Sequence, residues 1–466
     1  MYKPGTVGAN GRLLMKIVIA GAGKVGFTMA MRLCREKHDI TLIDTKREAL
    51  EAASNAMDVL GICGSCAAPS VLREAEVGTA DVFISATGND EANLVACQFA
   101  RKLGSRHTIA RLRNQEYLES VESLREIMEL SLAINPDYVT AEEISRVLQF
   151  PAATKVDAFP DCELEIVTFR IPETSRLNGV TLSKLPNLIS QKVLVCAVRR
   201  GDSVSIPDGN YKLQAGDFVS VTAPPKVLRR FFIAAGSYQK PVKNVIILGG
   251  SRIAVYLAQL LDSTNVKVTV IENNNARCQE LAELLEQADV ICADGTDTTV
   301  LAQSGLHDAD GFVALTNMDE ENIILSMYAD KTGVEKVVAK INNDKFIDLL
   351  HDVFPDTTLA PKNLVAERIE GYVRGLAHAS EESTIEALYF LGDHDVTATE
   401  FLVGEASACI GRTLAEMRLK PGVLLAAVIR GGSSFLPDGR TMLAPGDKAV
   451  VVTVGRSVFK LDDILA

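Results

Sequence analysis

The sequence predicts an α/β protein with two tandem lobes, each a doubly wound parallel sheet followed by a small β-rich α+β module. The first observation is a short apolar run at residues 16–20 that breaks into a glycine turn and opens a helical pattern. The second is Asp44, a carboxylate that closes the next apolar run. The third is the return of the whole arrangement about 228–230 residues later, which indicates duplication.

Length and charge limit the classes of function. The 466 residues are too many for one hydrophobic core, and the 47% hydrophobic and 23% charged residues are typical of a globular protein. No apolar run approaches the ~18–20 residues that a membrane-spanning helix needs. The formal net charge of -12 argues against nucleic-acid partners, which are bound through concentrated Lys and Arg. At a membrane we expect only peripheral association.

The glycine turn itself predicts nucleotide chemistry. Gly21 allows the tight turn, Gly23 lets the backbone approach a pyrophosphate, and Gly26 lets the following helix pack on the strand. The helical pattern of residues 24–35 points a helix N-terminus toward the phosphates. Asp44 lies 18 residues after Gly26. At about this position dinucleotide-binding folds place the acidic residue that accepts hydrogen bonds from the adenine ribose hydroxyls. The spacing therefore predicts a dinucleotide site.

The ribose carboxylate favours NAD over NADP. A 2′-phosphate beside Asp44 would be repelled unless a nearby cation replaced the contact. Lys46 and Arg47 follow Asp44 closely enough to supply such a cation, so NADP remains an alternative ligand. We expect NAD(H).

Residues at two further strand ends could complete the site. The run 81–85 leads to Thr87 and Gly88, which either contact a ligand at the carboxyl end of a parallel strand or simply cap the next helix. Arg111, near the end of the following strand, could reach the phosphates. Residues 114–130 are predicted to form the helix that finishes the lobe.

The second half of the chain repeats these features. Glu272 stands where Asp44 does, again closing the second strand, and Lys340 stands where Arg111 does. Segments after each lobe, residues 137–150 and 363–374, have an amphipathic helical pattern that predicts a crossover or dimerisation element. Short strands and repeated Pro-Asp-Gly turns then predict a small β-rich module after each helix.

The second glycine turn departs from the first. Ser251 replaces Gly23 and Ala254 replaces Gly26. Alanine is tolerated at the third position, but a side chain at the second crowds a pyrophosphate. We expect the second lobe to bind more weakly, to select another adenine nucleotide, or not to bind.

The nine cysteines show no disulfide framework. Cys97, Cys196 and Cys292 lie in apolar runs and are predicted to be small core residues of a protein in a reducing compartment. Cys63-x-x-Cys66 has the spacing of a redox or zinc motif, and this remains the alternative for that pair.

The two lobes and two β modules together resemble the TrkA family, peripheral cytoplasmic regulators of Trk-type potassium uptake that contain two tandem RCK units. Each unit pairs a Rossmann-like nucleotide-binding subdomain with a smaller C-terminal subdomain. The likeness covers nearly all of residues 15–466. It is carried by residues 16–26, residues 64–75, the Ile109-Ala110-Arg111 run and the repeated Pro-Asp-Gly turns.

The resemblance implies a division of the chain and a set of partners. The subdomains would be an N-terminal extension (1–14), the first NAD-binding Rossmann subdomain (15–135), a crossover helix (136–152), the first C-terminal subdomain (153–238), the second Rossmann subdomain (243–362), a second crossover helix (363–380) and the second C-terminal subdomain (381–466). It also implies NAD(H) and adenine nucleotides such as ATP and ADP as ligands. The implied partners are a potassium-translocating membrane subunit and further copies of the chain, in a dimer or a tetramer ring.

The resemblance also implies the residues of two pockets. The first would comprise Gly21, Ala22, Gly23, Lys24, Val25, Gly26, Asp44, Ser65, Thr87, Gly88 and Arg111. The second would comprise Gly249, Gly250, Ser251, Arg252, Ile253, Glu272, Asp294, Thr316 and Lys340.

The alternative is an NAD-dependent oxidoreductase with duplicated Rossmann domains. Such an enzyme needs an acid or base beside the nicotinamide. The six histidines occupy no matching positions in the two halves, and the β modules are too small to enclose much substrate. We therefore expect a regulator rather than an enzyme.

Overall fold

The computed structural model describes most of the chain, and the first 13 residues of the predicted N-terminal extension lie outside the described part. The described residues are 14–150, 152–158, 164–189, 192–201, 203–236, 242–262, 264–350, 357–378, 385–390, 396–455, 458 and 460–466.

The first lobe alternates strands and helices. Its strands are β1 (Lys16–Ala20), β2 (Asp39–Asp44), β3 (Leu60–Cys63), β4 (Val82–Ser85), β5 (His107–Arg111) and β6 (Leu132–Ile134). Its helices are α1 (Lys24–Arg35), α2 (Arg47–Ala56), α3 (Pro69–Glu74), α4 (Asp90–Leu103), α5 (Gln115–Glu119) and α6 (Val121–Ile127), and α7 (Pro136–Gln149) follows the last strand. The described strands pair in parallel in the order β3-β2-β1-β4-β5-β6.

This order reverses between β1 and β4, which creates a crevice at their carboxyl ends. The strands flanking the crevice are apolar because both faces of a parallel sheet are covered by helices; Ile17, Val18 and Ile19 are fully buried. One strand of this lobe was missed and one prediction is wrong. Strand β6 was not predicted, and the single helix expected at 114–130 is two shorter helices, α5 and α6.

The first β module is antiparallel. Its elements are β7 (Lys155–Ala158), β8 (Glu165–Arg170), α8 (Leu185–Leu188), β9 (Leu194–Arg200), β10 (Ser203–Ser205), β11 (Phe218–Ala223) and α9 (Pro225–Ala235), with described strands in the order β10-β9-β11-β8-β7. Edge-to-face contacts among Phe169, Phe231 and Phe232 fill its core, with ring centroids 5.0 to 5.7 Å apart.

The second lobe and module repeat this plan. The lobe contains β12 (Asn244–Leu248), α10 (Arg252–Asp262), β13 (Lys267–Glu272), α11 (Asn275–Leu284), β14 (Asp289–Cys292), α12 (Thr298–Gln303), β15 (Gly311–Ala314), α13 (Asp319–Lys331), β16 (Lys336–Lys340), α14 (Asp344–Leu350) and β17 (Thr357–Leu359). Helix α15 (Pro361–His378) leads to β18 (Ile385–Phe390), β19 (Val396–Leu402), β20 (Val423–Arg430), β21 (Ser433–Phe435) and β22 (Lys448–Val454). The described strands follow the orders β14-β13-β12-β15-β16-β17 and β18-β19-β22-β20-β21, which confirms the predicted fold class.

The two β modules pack against each other through their sheets. One apolar cluster joins residues of β8 and β9 to residues of β19, β20 and β22, namely Ile166, Cys196, Ala197, Ala398, Ala426, Ala427, Val450 and Val452. Small residues dominate this list, and they let the two sheets approach closely.

The chain divides into two compact units that do not follow the order of the sequence. One unit joins the described residues up to 142 to 340–349 and 358–377, so helix α15 packs with the first lobe. Val365, Ala366, Ile369 and Val373 of α15 belong to the same buried cluster as the strands of the first sheet. The amphipathic face of α15 is therefore buried by the first lobe.

A charged cluster borders this helix contact. Arg374 on α15 contacts both Glu36, at the end of α1, and Glu370, whose Oε1 is 2.9 Å from its Nη2. Arg32 reaches Glu370 as well, with 3.4 Å between Nη1 and Oε2, and His38 lies 3.5 Å from Glu36. Burial and the neighbouring Glu36 raise the pKa of Glu370 to about 8. Although burial opposes it, hydrogen bonds to His38 and Arg374 lower the pKa of Glu36.

In the part of the chain that the structure describes, no helix has the length and apolar character needed to span a bilayer.

The raised pKa of Glu370 predicts a pH dependence of stability. The unfolded carboxyl titrates near ~4.3. Between that value and the folded pKa of about 8, the native protein holds a proton that the unfolded chain has released, so the free energy of unfolding falls as pH rises. We expect Glu370→Gln to flatten this fall. Urea denaturation of both proteins between about pH 5 and pH 8 measures the free energy of unfolding at each pH. Equal slopes of that free energy against pH in the two proteins would contradict the raised pKa of Glu370.

Candidate nucleotide-binding sites

The first glycine turn is shaped by close backbone contacts. Gly21 has φ +103°, and its N–H donates to the carbonyl of Ile43 at 2.7 Å. A Cβ at Gly21 would lie 2.9 Å from the carbonyl oxygen of Ala86, and one at Gly26 would lie 1.8 Å from the carbonyl oxygen of Gly21. In this lobe a side chain at Gly21 would meet the backbone that follows β4 and would be strained by the positive φ, and one at Gly26 would push α1 away from the turn.

The middle glycine faces open space. A Cβ at Gly23 would meet nothing within 4 Å, and Gly23 caps α1 without any side-chain hydrogen bond to the helix. No side chain of the capping residue therefore covers the first N–H groups of α1, and this arrangement lets a phosphate approach them. Lys24 is exposed beside it, and Val25 is half-buried. The geometry of this turn fits the pyrophosphate of a dinucleotide.

Asp44 joins the end of β2 to the glycine turn. Its Oδ2 accepts a hydrogen bond from the N–H of Ala22 at 2.7 Å, and its Oδ1 accepts one from the N–H of Lys46 at 2.8 Å. The carbonyl of Asp44 accepts from Gly64 N–H at 2.9 Å, which places exposed Ser65 in the adjoining loop. The carboxylate is thus fixed at the carboxyl edge of the sheet, where a ribose hydroxyl could donate to it.

A buried amide organises the other side of the crevice. The Oδ1 of Asn93, on α4, accepts from the N–H of Thr87 at 3.0 Å and from its hydroxyl at 2.7 Å. The amide nitrogen of Asn93 donates to the carbonyl of Arg111 at 2.8 Å. The Nη1 of Arg111 in turn donates to the carbonyl of Thr87 at 3.1 Å. Thr87 and Arg111 therefore meet, and Gly88 lies exposed in the same loop with open space in front of it.

Sequence reasoning did not single out Asn93. Helix α4 is capped by Asn89 rather than by Thr87, since the Oδ1 of Asn89 accepts from Ala92 N–H at 2.6 Å. The signal for Asn93 was present in the sequence, because the asparagine closes both copies of the repeated 81–93 segment.

The second lobe reproduces this framework. The Oε2 of Glu272 accepts from Gly250 N–H at 2.7 Å, and its Oε1 accepts from Asn274 N–H at 2.7 Å. Asn322, buried on α13, accepts from the N–H and hydroxyl of Thr316 at 3.0 and 2.8 Å. Gly249 has φ +92° and its N–H donates to Ile271 at 2.8 Å, as in the first turn.

Around its glycine turn the second lobe differs. The Oγ of Ser251 accepts from Ala254 N–H at 3.4 Å, so a side chain caps α10 where the first lobe has a bare backbone. The Nε of Arg277 donates to the carbonyl of Gly250 at 2.7 Å, and the counterpart of Arg277 in the first lobe is Ala49. The repeat carries no signal for Arg277, and it was not predicted.

The remaining residues of the predicted second pocket lie on three elements. Arg252 is exposed and Ile253 is buried on the first turn of α10, and Lys340 is buried at the end of β16. Asp294 lies after β14, where the N–H and hydroxyl of Thr296 donate to its carboxylate and lower its pKa.

The cysteines mostly follow the prediction. Cys97 and Cys196 are buried, which confirms them as core residues, whereas Cys292 is exposed and its prediction is wrong because it closes β14 at an edge of the sheet. Burial raises the pKa of Cys66 above that of an ordinary thiol, while Cys63 is exposed. Among described residues, no group of three or more His, Cys, Asp or Glu side chains could hold a metal ion.

Two of the three glycines of the first turn, Gly26 and Gly23, are expected to differ in how much alanine destabilises the protein. Gly26→Ala should lower the free energy of unfolding by about 1–3 kcal/mol, because its Cβ has no room behind Gly21. Gly23→Ala should change it by less than about 1 kcal/mol, because the same Cβ enters open space. Urea denaturation of both variants measures the difference. Equal losses would contradict this geometry.

Family models and known proteins match this architecture. The TrkA-N domain model matches residues 17–136 and 245–361, and the TrkA-C domain model matches residues 166–233 and 398–465. The Trk system potassium uptake protein TrkA of Halomonas elongata is 30% identical, with 95% of this chain and 96% of that protein covered. A TrkA homolog of Archaeoglobus fulgidus is 29% identical over 97% of this chain and 100% of its own length.

Solved structures share the fold at lower identity. The structure described as "GsuK channel bound to NAD" has a TM-score of 0.63 and 19% identity, and covers 97% of this chain and 78% of its own. The GsuK RCK domain has a TM-score of 0.62 and covers 97% and 95%. The relatives are named as potassium uptake proteins, which confirms the non-enzymatic prediction over the oxidoreductase alternative. With tandem TrkA-N and TrkA-C domains and matching relatives over nearly its whole length, the chain belongs to the TrkA family.

Proposed function

We propose that this chain is the peripheral, cytoplasmic regulatory subunit of a Trk-type potassium uptake system. It gates a potassium-translocating membrane subunit in response to NAD(H) and adenine nucleotides, and it works as a homo-oligomer. The observation that carries this proposal is the intact glycine turn with its carboxylate, set in a chain that aligns with TrkA proteins from end to end. Potassium uptake is in the names of those relatives.

The first lobe is proposed to bind NAD(H). The open face of Gly23 and the uncapped start of α1 suit a pyrophosphate, which accepts hydrogen bonds from backbone N–H groups. Asp44 would accept from the hydroxyls of the adenine ribose, and Arg111 would face the phosphates from the neighbouring strand. A protein with this fold, the GsuK channel, is described as bound to NAD, which supports the choice of ligand.

The second lobe is proposed to prefer a different adenine nucleotide, such as ATP or ADP. Glu272 offers the same ribose contact as Asp44. The capping serine, Ser251, occupies the space in which a dinucleotide brings its pyrophosphate closest to the backbone. The cations Arg252 and Arg277 lie on the two helices that begin at this crevice, and they suit the higher charge of a terminal phosphate.

Regulation follows if the nucleotide binds two states of the assembly with different affinity. A ligand shifts an equilibrium only by that difference, and typical couplings are about 1–3 kcal/mol. The glycine turn is hydrogen-bonded to Asp44 at the end of β2, and Arg111 of β5 is hydrogen-bonded to the loop after β4. A ligand that engages Gly23, Asp44 and Arg111 at once would draw those strand ends together. The membrane subunit would then respond to this change in the conformation of the lobes.

Removing one ribose carboxylate should affect one lobe. We expect Asp44→Ala to weaken NAD(H) binding about tenfold or more, on the scale of a lost charge-assisted hydrogen bond of ~1.5–3 kcal/mol. Glu272→Ala is the matched control, because it removes the same contact from the other lobe and should leave NAD(H) affinity in the first lobe unchanged. Isothermal titration calorimetry on the full chain measures both. Unchanged affinity in the Asp44 variant would refute its assignment.

The regulatory role is tested on transport. Vesicles containing the Trk potassium-translocating subunit should change their potassium flux when this chain and NADH are added together. The Asp44→Ala variant should still associate with the vesicles while losing most of the NADH response. A flux that is the same with and without the chain would contradict the regulatory role, even if nucleotide binding is intact.

A further inference from the structure

Two cysteines of the second lobe lie side by side next to the ribose carboxylate. Cys292 ends β14, and in the parallel pairing with β13 it stands opposite Glu272. Cys278, on the second turn of α11, points back to the same residue: its Sγ donates to the carbonyl of Glu272 at 3.2 Å. The carbonyl of Glu272 also accepts from the N–H of Ala293 at 3.0 Å, so the Cys278 thiol and the backbone next to Cys292 meet at the same oxygen. The two cysteines are 14 residues apart in sequence, so the fold rather than the spacing brings them together.

The first lobe has only half of this arrangement. Cys63 ends β3 opposite Asp44, as Cys292 ends β14 opposite Glu272. The residue at the position of Cys278 is the buried Leu50. Cys63 therefore provides an internal comparison, a thiol at the same strand position in a lobe whose helix has a leucine in place of Cys278.

The two thiols differ in exposure. Cys292 is exposed, whereas Cys278 is buried with 6% of its surface accessible. Burial, with the neighbouring Cys292 second, raises the pKa of Cys278 to about 11. The thiolate is the reactive form, so Cys292 is the thiol that a reagent in solution reaches first, and Cys278 is the neighbour that can act on the product.

We propose that Cys278 and Cys292 form a reversible disulfide, a modification site that takes low-molecular-weight disulfides such as glutathione disulfide as its oxidant. The Cys292 thiolate attacks one sulfur of the oxidant, a mixed disulfide forms, and one small thiolate leaves. Cys278 then loses its proton and attacks the Cys292 sulfur, and the second small thiolate leaves. Two protein thiols are oxidised and one disulfide is reduced to two thiols.

This disulfide would be transient in a reducing compartment, as is usual for cysteines that respond to redox changes. Its formation would remove the hydrogen bond from Cys278 to the Glu272 carbonyl and tie the first turns of α11 to the end of β14. Arg277, which holds the carbonyl of Gly250, is the residue before Cys278. The oxidised form would therefore restrain the glycine turn of the second lobe. The disulfide itself does not depend on the proposed function.

The test is oxidation of the full, reduced chain by glutathione disulfide under native conditions. Free thiols are then alkylated, and the digest is analysed by mass spectrometry. We expect a peptide pair joined through Cys278 and Cys292 that disappears with dithiothreitol. Cys278→Ser should leave a glutathione adduct on Cys292, and Cys292→Ser should leave Cys278 reduced. Cys63 should form no cross-link to α2, since Leu50 stands at the position of Cys278.

Two outcomes would overturn the proposal. One is a wild-type chain in which Cys292 carries only a glutathione adduct and Cys278 is fully alkylated. The other is a joined pair that appears only when the chain is unfolded, which would make it a product of random pairing. Circular dichroism of the oxidised sample distinguishes the native cross-link from the second case.

Discussion

Each lobe depends on one carboxylate that holds its glycine turn against the second strand. Asp44 and Glu272 both divide their two oxygens between a turn N–H and the N–H that follows the strand, at 2.7 to 2.8 Å. These charge-assisted hydrogen bonds fix the turn before any ligand arrives. A ribose would therefore join an arrangement that is already formed, and little ordering would be needed on binding. The carboxylate is a structural residue, and the function we propose makes it a binding residue as well.

The differences between the lobes come from a few substitutions on this shared frame. A serine replaces the bare glycine at the start of the helix, and an arginine replaces Ala49 near the turn. Neither change disturbs the strand order or the Asn322 amide that holds the neighbouring loop. Duplicated binding units can diverge in this way, because the sheet sets the positions and a few side chains set the chemistry.

The sequence was sufficient for the sheets, the turns and the repeat, because each leaves a local pattern. Apolar runs predicted the buried strands, and the sequence offset between the halves was enough to pair Asp44 with Glu272. Strand β6 was not predicted because its three residues are too few to show a hydrophobic periodicity.

Contacts between distant segments leave no such pattern. Neither the burial of α15 by the first lobe nor the position of Cys278 beside the end of β14 could be predicted from spacing. Arg277 was missed for a related reason, since a residue present in only one copy gains nothing from the repeat.

The position of α15 has a consequence for how the protein came to be built. The helix that completes the core of the first lobe is encoded in the second half of the chain. An ancestral half standing alone would have needed the helix of another copy, so its core would have closed only at sufficient protein concentration. Fusion of two copies makes this contact internal and supplies the missing helix at a high effective concentration. After fusion the two halves cannot separate. Each glycine turn could then acquire its own ligand preference while both remain in one chain.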